Sequence, residues 1–156
     1  GGPLLNSQGE GIGINTAIRA DAMGIGFAIP INKAKSIQTQ LARGEHIAHP
    51  YLGIQIADLT PEMAKRNNDD PNASMLIPEV SGVLVIRVLP DTPAADAGLR
   101  RGDVITNIDD QSFETANQLQ SYVDQANIGQ RLRVSLRRGE QTQTITVKAA
   151  ELNLDA

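Results

Sequence analysis

Apolar and polar side chains alternate most clearly near the C-terminal end of the chain, and there they predict a hairpin. The alternation runs through Arg131–Arg138 and again through Gln141–Lys148, with Gly139 and Glu140 between the two runs. A period of two is typical of a strand with one face on a core, and a two-residue connection containing glycine is typical of a tight turn. We therefore expect two antiparallel strands that close a sheet.

Three further stretches predict strands that precede this hairpin. Gly82–Leu89 is an almost unbroken apolar run, interrupted by Arg87, which suits a strand buried on both sides. A turn at Arg100–Asp103 leads into a strand that ends near Ile108. The first strand of this region is expected at Tyr51–Ala57.

Helix starts are marked by capping residues. Thr60 can cap a helix over Pro61–Asn67, which has proline at its first position. Thr115 and Gln118 form the pattern of a capping box. The helix that they open carries an apolar stripe with the spacing i, i+3, i+4 and i+7, formed by Leu119, Tyr122, Val123 and Ala126.

The first thirty residues differ in texture from the rest, being rich in glycine and isoleucine. Strand-like runs are expected at Pro3–Leu5, Gly11–Ile18 and Gly24–Ile29, and Asn32 is expected to cap a helix over Lys33–Arg43. Three strands and one helix are too few to close a barrel. We therefore expect this segment to be the end of a larger domain.

Composition narrows the classes of function. Aromatic residues make up 3% of the chain and the net charge is −4, so neither a base-stacking platform nor a phosphate-binding surface is expected. The chain has no cysteine and two histidines, His46 and His49, both in an expected linker. No apolar run is long enough to span a membrane. We expect no metal, no cofactor and no nucleic-acid partner.

The stretch His49–Ala57 is the main candidate site. Pro50 keeps the entry extended, Gly53 permits a sharp turn, and Ile54 and Ile56 alternate with a polar residue. A loop of this kind can point successive N–H groups into one concavity and bind a carboxylate, while the following strand offers an edge to a peptide. The alternative is an ordinary first strand with a glycine bulge.

Three motifs near the start of the chain resemble the closing strands of an HtrA/Deg-type (DegP-like) serine protease with the trypsin fold. They are Gly1–Asn6, Ile12–Ile18 and Gly24–Pro30. The resemblance implies that the nucleophilic serine precedes Gly1 and that the catalytic histidine and aspartate lie further upstream. No catalytic residue is then present in this chain, and we expect it to have no peptidase activity alone. The resemblance also places one wall of the protease substrate cleft on Asn15, Thr16, Ala17 and Ile18, for which a plain barrel strand is the alternative.

From about Pro50 to Ala150 the order of elements resembles a PDZ domain of the HtrA type. The residues that carry this resemblance are Tyr51–Ile54, Pro90–Leu99 and Gly102–Ile105. It implies that Tyr51–Ile54 is the carboxylate-binding loop and that the strand after it receives a peptide.

Together the two resemblances imply a mainly β fold with helices, in which the end of a chymotrypsin-like barrel precedes a partly open PDZ barrel with two flanking helices. The expected division is residues 1–44 for the truncated protease domain, 45–50 for a linker, 51–150 for the PDZ domain and 151–156 for a tail.

A peptide's last side chain is expected to enter a pocket between the first PDZ strand and the helix that follows Thr115. The expected peptide-binding residues are Tyr51, Leu52, Gly53, Ile54, Ile56, Leu119, Tyr122 and Val123. Which of the three helix residues face the pocket and which face the core is left open by the sequence.

The function implied is that of the C-terminal part of an ATP-independent serine endopeptidase in protein quality control. Its partners would be unfolded or damaged proteins and their C-terminal peptides, its parent a homotrimer, and its compartment extracytoplasmic, such as the periplasm or a lumen. Two alternatives remain: a non-catalytic PDZ adaptor, and a structural domain whose groove is blocked by Glu45–Pro50.

Overall fold

The computed structural model describes residues 1–18, 25–45 and 49–151. The chain divides into two compact units, Gly1–Ile47 and Ala48–Ala156, which are described separately below as the first and second unit. No helix in the described ranges is long and apolar enough to cross a membrane.

The first unit is a three-stranded antiparallel sheet followed by a helix. Strands β1 (Pro3–Leu5), β2 (Gly11–Ile18) and β3 (Gly26–Pro30) lie in the order β1-β2-β3, and helix α1 spans Ile31–Ala42. The three predicted strands are confirmed, although the expected start at Gly24 lies outside the described residues. The sheet is open, and the assignment of this segment to a chymotrypsin-like barrel stays a prediction.

The expected cap of helix α1 is wrong. The helix begins at Ile31 with Pro30 at the N-cap position, and no side chain caps it. Asn32 therefore lies inside the first turn. The helix thus begins two residues earlier than the asparagine suggested, directly after Pro30, whose φ of −57° is fixed by its ring.

The second unit contains eight strands and three helices among its described residues. The first elements are β4 (Pro50–Tyr51), β5 (Ile54–Leu59), α2 (Pro61–Asn68), β6 (Gly82–Val88) and α3 (Pro93–Asp96). They are followed by β7 (Val104–Ile108), β8 (Gln111–Ser112), α4 (Ala116–Val123), β9 (Arg131–Arg138), β10 (Gln141–Lys148) and β11 (Ala150–Glu151).

The main sheet of this unit is antiparallel, in the order β10-β9-β7-β6-β5, with β8 paired to β7. A two-stranded ladder joins β11 to β4. The predicted hairpin of β9 and β10 is confirmed, with Gln141 opposite Arg138. The single strand expected at Tyr51–Ala57 is wrong, because the chain turns at Leu52 and Gly53 and forms two strands.

The core lies between the main sheet and helix α4. It contains the inward side chains of β6, β7 and β9 together with two residues of the helix, and its largest fully buried members are Ile105, Ile108, Leu119, Leu132 and Leu136. A smaller cluster on the other face of the sheet packs Leu59 and Val104 against Ala64 of α2.

Strand β6 is buried only along its first half, so the expectation of burial on both sides is wrong for the second half. Val83 and Val85 are inaccessible to solvent, whereas Ile86 is 44% exposed and Arg87 is exposed. The reason is a bulge. Gln55 pairs with Arg87 while Ile56 pairs with Val85, so Ile86 is an extra residue in the ladder.

A buried ion pair joins β9 to the turn that precedes β7. Arg138 donates from Nε and from a terminal nitrogen to the two carboxylate oxygens of Asp103, both at 2.7 Å. Asp103 is only 1% exposed and also accepts from the N–H of Arg100. The hydrogen bond to Asp103 raises the pKa of Arg138. Such a pair fixes the turn, because removal of Arg138 would leave the buried carboxylate of Asp103 without compensation.

Candidate functional site

A hollow of about 240 Å³ lies between strand β5 and helix α4, and we call it the groove. Its lining comes from the segment before β5, from β5 itself and from one face of the helix. The lining residues are His49, Pro50, Tyr51, Leu52, Gly53, Ile54, Ile56, Leu119, Gln120, Val123 and Asp124.

The loop at one end of the groove has its carbonyl groups turned into the protein. The oxygen of Leu52 accepts from the N–H of Ala94, and the oxygen of Gly53 accepts from the N–H of Leu89, both at 2.9 Å. Leu89 follows β6, and Ala94 lies in α3. The loop is therefore anchored by its acceptors.

The N–H groups of the loop have a different direction. In an antiparallel ladder, successive residues turn their polar groups to alternate sides. Because the Gly53 oxygen bonds on the β6 side, the N–H of Ile54 points to the opposite, outer edge. Within the described ranges, no turn, loop or side-chain hydrogen bond uses the N–H of Leu52 or Gly53.

Position 53 requires glycine for two separate reasons. Its φ is +88°, in the region that L-residues with a side chain rarely adopt. A Cβ atom there would also overlap the side chain of Thr92. Thr92 is 5% exposed and cannot give way easily, because its hydroxyl donates to the oxygen of Leu89 at 2.7 Å and caps α3.

The outer edge of β5 is open. This strand is the last in the main sheet, and no strand in the part of the chain that the structure describes pairs with its outer side. An edge strand presents unpaired N–H and C=O groups to which another extended chain can add.

The floor of the groove is apolar and also belongs to the core. Leu52, Leu119 and Val123 are 3%, 1% and 4% exposed, and all three line the groove. Ile54 and Ile56 are half-buried beside them. The question that the sequence left open for the helix is thereby answered for Leu119 and Val123, which contribute to both groove and core.

Tyr122 lies elsewhere, although the sequence grouped it with the groove residues. Its ring packs edge-on against Phe113 with the ring centres 5.3 Å apart, and its hydroxyl donates to the Oδ2 atom of Asp109 at 2.9 Å. Its pKa is raised, first by this hydrogen bond and then by burial. One residue on an α-helix turns by about 100°, so a neighbour of Val123 in sequence faces a different partner.

The polar rim of the groove was not anticipated from the sequence. It includes Gln120 and Asp124, which are joined by a hydrogen bond of 2.8 Å from the Gln120 amide to the Asp124 carboxylate, and His49 at the entry. The helical spacing could have predicted this rim, because Gln120 and Asp124 each follow a groove residue by one position. They also lie four residues apart, the spacing at which side chains on a helix meet.

In the first unit, the residues expected to form a protease cleft all belong to β2. Asn15, Thr16 and Ala17 have exposed side chains, and Ile18 ends the strand. The ladder with β3 has an irregularity between Asn15 and Ala17, where the hydroxyl of Thr16 donates to the oxygen of Phe27 at 3.1 Å. The cleft assignment stays a prediction.

Comparison with protein families identifies the second unit. The sequence profile of the PDZ domain matches residues 50–149, which is more than half of the chain. The chain belongs to the PDZ family. This agrees with the glycine-containing loop, the open edge strand and the helix beside it, which together form the PDZ groove described above.

Relatives and solved structures extend the similarity of this PDZ chain to both units. The putative serine protease HhoA of Synechocystis is 53% identical over 152 residues, covering 97% of this chain and 39% of that protein. The periplasmic serine endoprotease DegP of Escherichia coli K12 is 37% identical over 141 residues, covering 88% of this chain and 28% of DegP. The resemblance to HtrA/DegP serine proteases is thereby confirmed.

Two solved structures give the same result at the level of the backbone. The HtrA-type protease AlgW with a tripeptide has a TM-score of 0.73 at 31% identity, covering 98% of this PDZ chain and 49% of that chain. The serine endoprotease from Yersinia pestis has a TM-score of 0.66 at 29% identity, covering 98% and 47%. The chain spans between 28% and 49% of the length of the four proteins compared.

Proposed function

We propose that the PDZ unit captures the free C-terminal end of a polypeptide in the groove between β5 and α4. The observation that carries the proposal is the direction of the backbone polar groups in the loop. The carbonyls of Leu52 and Gly53 accept hydrogen bonds from within the protein, while the N–H of Ile54 points outward. The open edge of β5 and the apolar floor of the groove support it.

In the proposed complex, the terminal carboxylate accepts hydrogen bonds from the N–H groups of Leu52, Gly53 and Ile54. Consecutive backbone N–H groups that converge on one point form an anion-binding nest. The peptide then adds as a strand beside β5, and its last side chain enters the groove over Leu119 and Val123. An apolar floor implies a preference for an apolar last residue.

Rough magnitudes give the expected strength. Burying one aliphatic side chain contributes about 1.5–3 kcal/mol, and each net hydrogen bond contributes about 0.5–1.5 kcal/mol. Association and ordering of the peptide cost at least roughly 4 kcal/mol. With only a few such contributions to offset this cost, binding is expected to be no tighter than the micromolar range, about −8 kcal/mol.

The test is a calorimetric titration with two peptides of one sequence ending in valine, one with a free carboxylate and one amidated. We expect the amide to bind at least tenfold more weakly, because it removes the charge and places an N–H donor against donors of the loop. Equal affinities would contradict carboxylate capture.

We further propose that the chain serves an ATP-independent serine endopeptidase of the HtrA/Deg type in protein quality control. The support is the identity to HhoA and DegP along both units. In this proposal β1–β3 and α1 (residues 1–44) belong to a trypsin-like domain with Asn15–Ile18 beside its cleft, residues 45–50 link it to the PDZ domain (51–150), and 151–156 form a tail.

The partners in this proposal are unfolded or damaged proteins, the whole enzyme is a homotrimer, and the compartment is extracytoplasmic, as the name of the DegP relative suggests for that protein. Without the nucleophile, the base and the orienting acid, this chain alone should not hydrolyse casein. Casein hydrolysis that survives purification away from contaminating proteases would contradict the assignment of the triad to upstream residues.

A further inference from the structure

The bulge in the β5–β6 ladder leaves the cationic side chain of Arg87 exposed, on the face of the sheet opposite to the groove. Gln55 lies opposite Arg87, and Ile86 is the extra residue. Bulges at sheet edges re-aim side chains. Here the bulge places Ile86 and Arg87 on the exposed face, opposite to the face on which Ile54 and Ile56 line the groove.

The charge of Arg87 has no acidic partner within the described ranges. None of the ion pairs or side-chain hydrogen bonds there involves it, and the residue opposite it in the ladder, Gln55, is neutral. The situation differs for Arg133 and Arg138 on β9, each of which contacts an aspartate.

An added peptide strand would bring its penultimate side chain to this same face. Side chains alternate between the two faces of a strand, so when the last side chain enters the groove the one before it points to the side of Gln55 and Arg87. Adjacent strands lie about 4.8 Å apart, which places the peptide roughly 10 Å from β6. A long arginine reaching across Gln55 and a long carboxylate can span that separation.

We propose that Arg87 gives the groove a preference for an acidic residue, glutamate above all, at the penultimate position of the captured C-terminus. The inference rests on the proposed capture of chain ends in the groove. It names one feature of the polypeptides selected: an apolar last residue preceded by an acidic one.

The experiment uses the full chain and three peptides that end in Glu-Val, Gln-Val and Lys-Val, all with free carboxylates. The Glu-Val peptide should bind about two- to fivefold more tightly than the Gln-Val peptide, as an exposed ion pair allows, and the Lys-Val peptide should bind most weakly. Raising the salt concentration should reduce the difference, because exposed charges are screened.

Two variants and one control decide whether Arg87 is responsible. Arg87→Gln should make the three affinities equal, and Arg87→Glu should reverse their order. Arg100→Gln makes the same change of charge at an exposed position between α3 and β7, which neither lines the groove nor lies on β5 or β6, and should leave the preference intact.

The outcomes distinguish a failure of the proposed role of Arg87 from a failure of C-terminal capture. Binding of all three peptides with equal affinity, or a glutamate preference that survives Arg87→Gln, would overturn the role of Arg87 and leave C-terminal capture standing. Failure of every free-carboxylate peptide to bind would overturn both.

Discussion

Glycine 53 is the single residue on which the shape of the proposed carboxylate loop depends most directly. A side chain there meets two penalties, the positive φ and the overlap with Thr92. Gly98 has a similar φ of +81° with open space where its Cβ would be. The pair therefore separates backbone strain, which costs about 1–2 kcal/mol, from distortion of the loop.

We predict that Gly53→Ala weakens binding of a free-carboxylate peptide by more than tenfold, because the loop must move away from Thr92 and its N–H groups lose their common direction. Gly98→Ala should lose only the stability that backbone strain costs, less than Gly53→Ala loses, and should keep the affinity. Titration gives the affinities, and urea denaturation gives the free energies of unfolding. A Gly53→Ala chain that binds like the parent would exclude this loop as the anchor.

From the sequence alone, only one of the two reasons for glycine at position 53 could be predicted. A turn between Pro50 and the alternating strand indicated conformational freedom at position 53. The contact with Thr92 could not be anticipated, because it depends on how the turn before α3 packs against the loop. Likewise, the apolar character of the stripe in α4 was visible, but the contact of Tyr122 with Asp109 and Phe113 is tertiary.

Tyr122 offers a test that depends on pH. The hydrogen bond to Asp109 is made by the protonated phenol, so it raises the pKa of Tyr122 above the usual value of about 10. The stability it contributes is fully present below the pKa of the unfolded chain and is lost as the pH rises through the higher, folded-state pKa.

In a Tyr51→Phe background, which leaves one tyrosine, ultraviolet titration should show ionisation of Tyr122 above pH 10. Adding Asp109→Asn should lower that midpoint, because the carboxylate that opposes the phenolate is removed. A midpoint that Asp109→Asn does not change would mean that the bond is absent in solution.

At the scale of elements, the hairpin and the capped helices were predictable because their signals are local. The capping box of Thr115 and Gln118 and the cap of Thr60 are present as expected. The bulge at Ile86 was not, because one extra residue inside an apolar run leaves the run unbroken. The division of the first PDZ strand into β4 and β5 was missed because β4 is only two residues long and is defined by its pairing with the distant β11, which no local pattern shows.

A hydrogen bond between Asp58 and Ala116 joins the two walls of the groove. The Oδ1 atom of Asp58 on β5 accepts from the N–H of Ala116, the first residue of α4, at 2.6 Å. The bond satisfies a donor that the helix itself cannot use, and the carboxylate also interacts favourably with the helix dipole. Asp58 therefore helps to hold the helix beside the strand.

We predict that Asp58→Ala lowers the free energy of unfolding by about 0.5–2 kcal/mol, the usual range for loss of a helix cap. Asp58→Asn keeps an acceptor and should lose less than half of that. Urea denaturation of the parent and both variants provides the measurement. Equal losses for alanine and asparagine would show that charge, and not the acceptor, matters at this position.

At the scale of the whole chain, the two units differ in how much apolar surface they bury, although the overall composition is average. In the second unit, two clusters of buried aliphatic side chains surround the main sheet. In the first unit, glycine 13 is the one buried residue within the described ranges. Its large apolar side chains are mostly exposed there, including Leu4, Leu5, Ile12, Ile14, Phe27, Ile29 and Leu41.

This difference predicts how the chain opens. Local stability follows the apolar area that a segment buries, and amide hydrogens exchange through the openings that this stability limits. The amides of β6, β7 and β9 should exchange slowly, with free energies of opening near that of global unfolding. The hydrogen-bonded amides of β1–β3 should exchange orders of magnitude faster, because little buried area opposes their opening.

Hydrogen exchange followed by mass spectrometry at peptide resolution distinguishes the two regions, and the unbonded loops of each unit give the fully exchanging reference. Comparable protection in β2 and β9 would show that the first unit buries its apolar face in solution, for instance through self-association. Repeating the exchange at tenfold lower protein concentration would reveal that cause, because protection that depends on association decreases on dilution.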